Sequence, residues 1–144
     1  MIAVLVVDDH VAIQKSLQYL IRTSDDIQVL ATAASGEEAI AHAGSRCPDV
    51  IVMDISMPQM DGIEATRQIL GQCPLTRVLM LSSYDTSVYI RRSLEVGAKG
   101  YVLKDWMGDE LLEAIRAVSR GNYYFSQKIV KIAETYLRET GHAD

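Results

Sequence analysis

The segment Val50-Ile-Val-Met-Asp54-Ile-Ser-Met-Pro58-Gln-Met-Asp61-Gly62 decides the fold. Four apolar residues, three of them β-branched, run straight into an aspartate, and a Met57-Pro58 loop and an Asp61-Gly62 turn follow. So short a run, without alternation, suits a strand covered on both faces. Similar runs stand at Ile2–Val7, Ile27–Ala33, Arg77–Leu81 and Gly100–Leu103. The stretches between them carry apolar residues at helical spacing. Ile13, Leu17, Leu20 and Ile21 mark one helix, and Ile63, Leu70 and their neighbours Arg67 and Ile69 another. Val88, Ile90 and Leu94 mark a third, capped by Asp85 or Thr86 and ended by Gly97, while Leu111, Leu112, Ile115 and Val118 mark a fourth. Ser35 before Gly36-Glu37-Glu38 is a capping box that opens a helix through Ala43. Five strands alternating with five helices predict a doubly wound α/β domain with a parallel sheet. In such domains the functional residues gather beyond the carboxyl ends of the strands.

Composition agrees with a single domain. The chain has 144 residues, 49% of them hydrophobic, and 14 Lys plus Arg against 19 Asp plus Glu give a net charge of −5. That balance argues against a dominant nucleic-acid surface, which needs clustered cations. No apolar run approaches a membrane span, and the start lacks the basic n-region of a signal peptide. Cys47 and Cys73 fit no metal spacing and are expected as free thiols in a reducing cytoplasm. His10, His42 and His142 show no ligand spacing and read as surface or cap residues. Arg91-Arg92 read as a solvated face. Beyond Gly121, the Tyr123–Phe125 cluster reads as packing. Ser126 is expected to cap a last helix with Ile129, Ile132, Ala133, Tyr136 and Leu137 on one stripe. The polar end, 139–144, is expected to fray.

The strand ends carry the chemistry. Strand 1 runs into Asp8-Asp9, strand 3 into Asp54, strand 4 into Ser82-Ser83 and strand 5 into Lys104-Asp105. With strand 1 between strands 2 and 3, three carboxylates, a hydroxyl and an ammonium converge. Three ionised carboxylates need a cation or a proton. Oxygen ligands without Cys or His favour a hard ion with room for water, Mg²⁺ rather than Ca²⁺. The parts match phosphoryl transfer, which works by positioning and charge neutralisation. No glycine-rich phosphate loop is present to hold a nucleotide. A carboxylate nucleophile is one option for accepting the group, and Asp54 is centrally placed.

Val7-Asp8-Asp9-His10, Asp54 through Gly62, Ser82, and Gly97-Ala-Lys-Gly-Tyr-Val-Leu-Lys104 together resemble the receiver domains of two-component response regulators. Ile63-Glu-Ala-Thr66 and Leu111-Leu-Glu-Ala-Ile-Arg116 resemble the subfamily that carries a LuxR/NarL-type helix-turn-helix. The resemblance implies a flavodoxin-like fold: a five-stranded parallel sheet of order 2-1-3-4-5 with helices on both faces, over residues 1–121. Residues 122–144 would form a linker or extension helix, too short for a helix-turn-helix domain. It further implies that Asp54 accepts a phosphoryl group from a sensor histidine kinase. Asp8, Asp9, Asp54 and the backbone carbonyl of Ser56 would hold Mg²⁺ or Mn²⁺, with Asp8 acting through water. Lys104 would pair with the phosphoryl group, Ser82 would be the switch hydroxyl, and Tyr101 the aromatic that follows it. No organic cofactor is implied. A homodimer on phosphorylation is expected, and DNA would be reached only through an effector domain outside this chain.

Two positions depart from the family pattern. Asp105 stands where many receivers have proline, and Ser82 replaces the commoner threonine. Ser56 and Tyr84 flank the acceptor and the switch residue, where they could control water access. The alternatives are a stand-alone receiver working by protein contact and a Mg²⁺-dependent phosphatase with an aspartate nucleophile. The phosphatase wants a second acid two residues beyond Asp54, where Ser56 stands. A flavin- or nucleotide-binding domain is opposed by the acidic Asp8-Asp9 turn.

Overall fold

Alternate residues of a strand leave the sheet in opposite directions. In the computed structural model, which describes residues 1–141, both directions are covered. The strands are β1 (Ile2–Val7), β2 (Ile27–Ala33), β3 (Val50–Asp54), β4 (Arg77–Ser82), β5 (Gly100–Leu103) and β6 (Tyr124–Phe125). The helices are α1 (Val11–Arg22), α2 (Gly36–Ser45), α3 (Gly62–Gln72), α4 (Ser87–Glu95), α5 (Met107–Ser119) and α6 (Val130–Glu139). On one face Val4, Val6, Val50, Val52, Leu79, Leu81 and Val102 pack with Leu17 and Ile21 of α1 and with Leu111, Ile115 and Val118 of α5. On the other, Leu5, Val7, Ile51, Met53, Met80 and Tyr101 pack beneath α2, α3, α4 and α6. The unalternating strand sequences follow from this double burial.

The sheet is parallel throughout, with order β2-β1-β3-β4-β5-β6. The fold class and the order of the first five strands are as expected. The sixth strand is a correction. Tyr124 pairs with Gly100 and Phe125 with Tyr101, so part of the aromatic cluster extends the sheet at the β5 edge. Ser126 corrects another expectation, because its side chain does not cap the following turn. Its hydroxyl accepts from the Leu103 N–H and donates to Glu110, tying the extension to β5 and α5. The α6 stripe does bury Ile129, Ala133 and Leu137, in one cluster with Ile90 and Leu94 of α4. Arg91, read as a solvated cation, reaches Glu139 at 3.6 Å and lies over the Tyr136 ring.

Cys47 and Cys73 are not free thiols: a disulfide joins them, with their Cα atoms 5.7 Å apart. Cys47 follows α2 and Cys73 ends α3, and packing of α2 against α3 brings the two together. Several local expectations hold. Ser35 accepts from the Glu38 N–H, Asp61 accepts from the Glu64 N–H, and Gly97 leaves α4 at φ 108°. Thr86 stands at the α4 N-cap without a side-chain hydrogen bond. Of the polar end, Glu139 closes α6, and residues 142–144, His142 among them, lie outside the described residues. Among the described residues no helix is long and apolar enough to cross a membrane.

Candidate phosphoryl-acceptor site

Parallel register brings the strand ends level: Val7 stands opposite Met53, Asp54 opposite Leu81, and Ser82 opposite Leu103. The residues that follow these positions therefore meet at one edge of the sheet. The β1 turn is fixed by the Asp8 N–H donating to Ala33 and by Gln14 Nε2 donating to the Asp8 carbonyl at 2.6 Å. Asp8 Oδ1 accepts from the His10 N–H at 2.8 Å, which folds the chain over the carboxylate. On the β3 side, an added Cβ at Gly62 would lie 2.0 Å from the Asp54 carbonyl oxygen, so this close approach requires glycine.

Asp8 and Asp54 are buried, at 0% and 2% exposure. Lys104 Nζ lies 3.1 Å from both Asp8 Oδ2 and Asp54 Oδ1, bridging the two carboxylates. Burial, joined by the Asp8 charge, pushes the Asp54 carboxyl up to about 6, although Lys104 acts in the opposite direction. Burial alone would lower the Lys104 pKa, but the attraction of Asp54 and Asp8 outweighs it and the net shift is upward. One ammonium thus answers three carboxylates.

The donor set fits a divalent cation. Asp9 Oδ1 and Asp54 Oδ2 are buried and accept no hydrogen bond. One ligand atom each from Asp8, Asp9, His10 and Asp54 falls within 4.8 Å of all the others. Buried anionic oxygens without donors are costly unless a cation meets them. His10 is the member of this group that sequence spacing missed.

The hydroxyl side is linked through Tyr84. Ser82 is buried, and its Oγ accepts from the Tyr84 N–H at 2.9 Å. The Tyr84 carbonyl accepts from the Tyr101 hydroxyl at 2.6 Å. Tyr101 is wholly buried, which pushes its phenol up to about 12. The Tyr84 ring stacks on Tyr89 with centroids 4.3 Å apart, and its hydroxyl reaches Ser56 Oγ at 3.5 Å. Asp8, Asp9, Asp54 and Lys104 therefore form one cluster, while Ser82, Tyr101 and Ser56 converge on Tyr84. After β5 the chain turns through Lys104–Trp106, and the single tryptophan, Trp106, stands half exposed there.

Comparison with known proteins gives the same picture. The family model for the response regulator receiver domain matches residues 4–116. The chain is 37% identical over 148 residues to the uncharacterized transcriptional regulatory protein YxjL of Bacillus subtilis, covering 99% of this chain and 67% of the relative. It is 40% identical over 129 residues to the response regulator protein VraR of Staphylococcus aureus, covering 90% and 62% respectively. It is also similar to the crystal structure of a LuxR-family two-component response regulator from Aurantimonas sp. SI85-9A1. That match has a TM-score of 0.89 and 32% identity, and covers 94% of this chain and 96% of the other. The chain spans between 54% and 67% of the length of the first curated relatives it matches.

Proposed function

Because the chain belongs to the response regulator receiver domain family, we propose that it is a phosphorylation-activated receiver that takes its phosphoryl group on Asp54 from a sensor histidine kinase. Residues 1–121 would be the receiver and 122–144 an extension, with output through a LuxR-type DNA-binding regulator. The curated relatives YxjL and DegU are named transcriptional regulatory proteins and are longer than this chain, and the similar solved structure from Aurantimonas is of the LuxR family. A cytoplasmic location follows from this reading, since a kinase of that class presents its phosphohistidine there.

The observation that carries the proposal is the Lys104 bridge across two buried carboxylates, beside a third. In the step, an Asp54 carboxylate oxygen attacks the phosphorus of a phosphohistidine. The P–N bond breaks, its electron pair returns to the imidazole, and an acyl phosphate forms on Asp54. Lys104 stands ready to leave Asp8 and pair with the incoming phosphoryl oxygens. Asp8, Asp9, Asp54 and the Ser56 carbonyl would hold the divalent cation, which supplies charge neutralisation for a phosphoryl oxygen when bound. Ser82 would then turn its hydroxyl towards the phosphoryl group and give up its bond to the Tyr84 N–H. Since the Tyr84 carbonyl holds Tyr101, one movement would disturb both, a local charge event biasing a two-state element.

Incubation with a small phosphodonor, with and without Mg²⁺, followed by intact mass tests the proposal. The expected product is a single phosphoryl adduct, stable in acid and labile in base, that requires Mg²⁺ and is lost in Asp54→Ala. An adduct that persists in that variant would overturn the assignment. Phosphorylation is also expected to produce a dimer, and light scattering that shows an unchanged monomer would count against that output.

A further inference from the structure

We propose that His10 is a direct ligand of the cation at this site, and that its imidazole moves the site's preference from Mg²⁺ towards first-row transition ions such as Mn²⁺ and Co²⁺. The inference rests on the cation site proposed above and adds a nitrogen donor to it. His10 Nδ1 lies 3.1 Å from Asp8 Oδ1 and 3.1 Å from Asp9 Oδ1. Ligand atoms on neighbouring corners of an octahedron, at the 2.0–2.1 Å bond length of Mg²⁺, stand about 3 Å apart. Both contacts thus have the spacing of ligands to one ion. The His10–Asp9 contact is not a hydrogen bond, because Asp9 Oδ1 accepts none. Either a ring proton, directed at Asp8 Oδ1, or a cation addressed by all three atoms holds this nitrogen beside two carboxylate oxygens, and the unpartnered Asp54 Oδ2 in the same cluster favours the cation.

Asp54 supplies an independent sign of a ligand. It is 2% exposed, and its Oδ2 is buried and unpartnered in the same cluster. His10 itself is 64% exposed at the mouth of the site, so an entering ion meets it without rearranging the core. Its place is set by the backbone, which is extended at His10 and donates its N–H to Asp8 Oδ1. An all-oxygen set suits Mg²⁺, whereas an imidazole in the set suits later first-row ions, whose affinities rise along the Irving–Williams series.

The test uses the full chain without an affinity tag, loaded with Mn²⁺ and read by electron spin echo modulation. The strong ¹⁴N coupling of a directly bound imidazole is expected in the unaltered chain and absent in His10→Ala. Titration should show Co²⁺ affinity falling on the order of tenfold in His10→Ala, with Mg²⁺ affinity changed less than about twofold. Circular dichroism confirms that the exposed substitution leaves the fold intact. Bound Mn²⁺ without that coupling overturns the inference and leaves the carboxylate site standing; His10 is then a hydrogen-bond partner of Asp8. Coupling that survives in His10→Ala assigns the nitrogen to another histidine and overturns it too. Mn²⁺ binding that survives both Asp9→Asn and Asp54→Asn removes the underlying site as well.

Discussion

Asp54 works against the stability of the fold that holds it. Its carboxyl is raised from an ordinary 3.8 to about 6, chiefly by burial and then by Asp8. Between those values the native state binds more protons than the unfolded chain, so this residue's contribution falls as pH rises through the window. Above it the full penalty remains. Asp54→Asn should therefore be more stable than the unaltered chain at pH 7.5, by on the order of 2–3 kcal/mol in metal-free buffer. The difference should vanish near pH 4, as urea unfolding at the two pH values would show. A constant difference would mean that the side chain titrates normally. At this scale the site was largely legible: Asp8, Asp9, Asp54, Ser82 and Lys104 all lie at or just past strand ends, where topology alone collects them. His10 was not, because three consecutive residues share a site only if the intervening backbone turns, and that depends on dihedral angles. Gln59, at φ 69° in the loop after Asp54, is similarly invisible in a sequence where glycine would be the natural choice.

The extension is held by two kinds of contact with different costs. The Ser126 hydroxyl accepts from the buried Leu103 N–H at 3.0 Å. Ser126→Ala should cost about 1–3 kcal/mol, the range for a buried donor left unmet. Leu137, 5% exposed in the cluster shared with α4, should cost about 2–4 kcal/mol when cut to alanine. Both are measurable by chemical denaturation, and a loss confined to local exchange protection in α6 would show that the extension unfolds independently. The ion pair from Lys128 to Asp85 also ties the extension to the loop after Ser82. Sequence periodicity found α6 because its apolar stripe runs over several turns. It could not find β6, since two paired residues give no alternation to read.

Across the whole molecule the disulfide lies at the opposite end of the strands from the acidic cluster, where loops leave α2 and α3 to enter β3 and β4. It closes a loop with a sequence separation of 26. Chain-entropy reasoning assigns such a closure about 3–4 kcal/mol. Reduction should lower stability by up to that amount, and thiol titration in denaturant should find two thiols only after reductant. The pair was illegible as a bridge because nothing local marks it: two cysteines far apart in sequence meet only once α2 and α3 pack. A further consequence concerns Trp106, two residues beyond Lys104 and half exposed. A rearrangement of that lysine that moves its backbone also moves the short turn carrying the indole. The emission of this single indole is therefore expected to shift when a cation fills the acidic pocket, and a spectrum unchanged by Mg²⁺ would show that the turn does not follow the lysine.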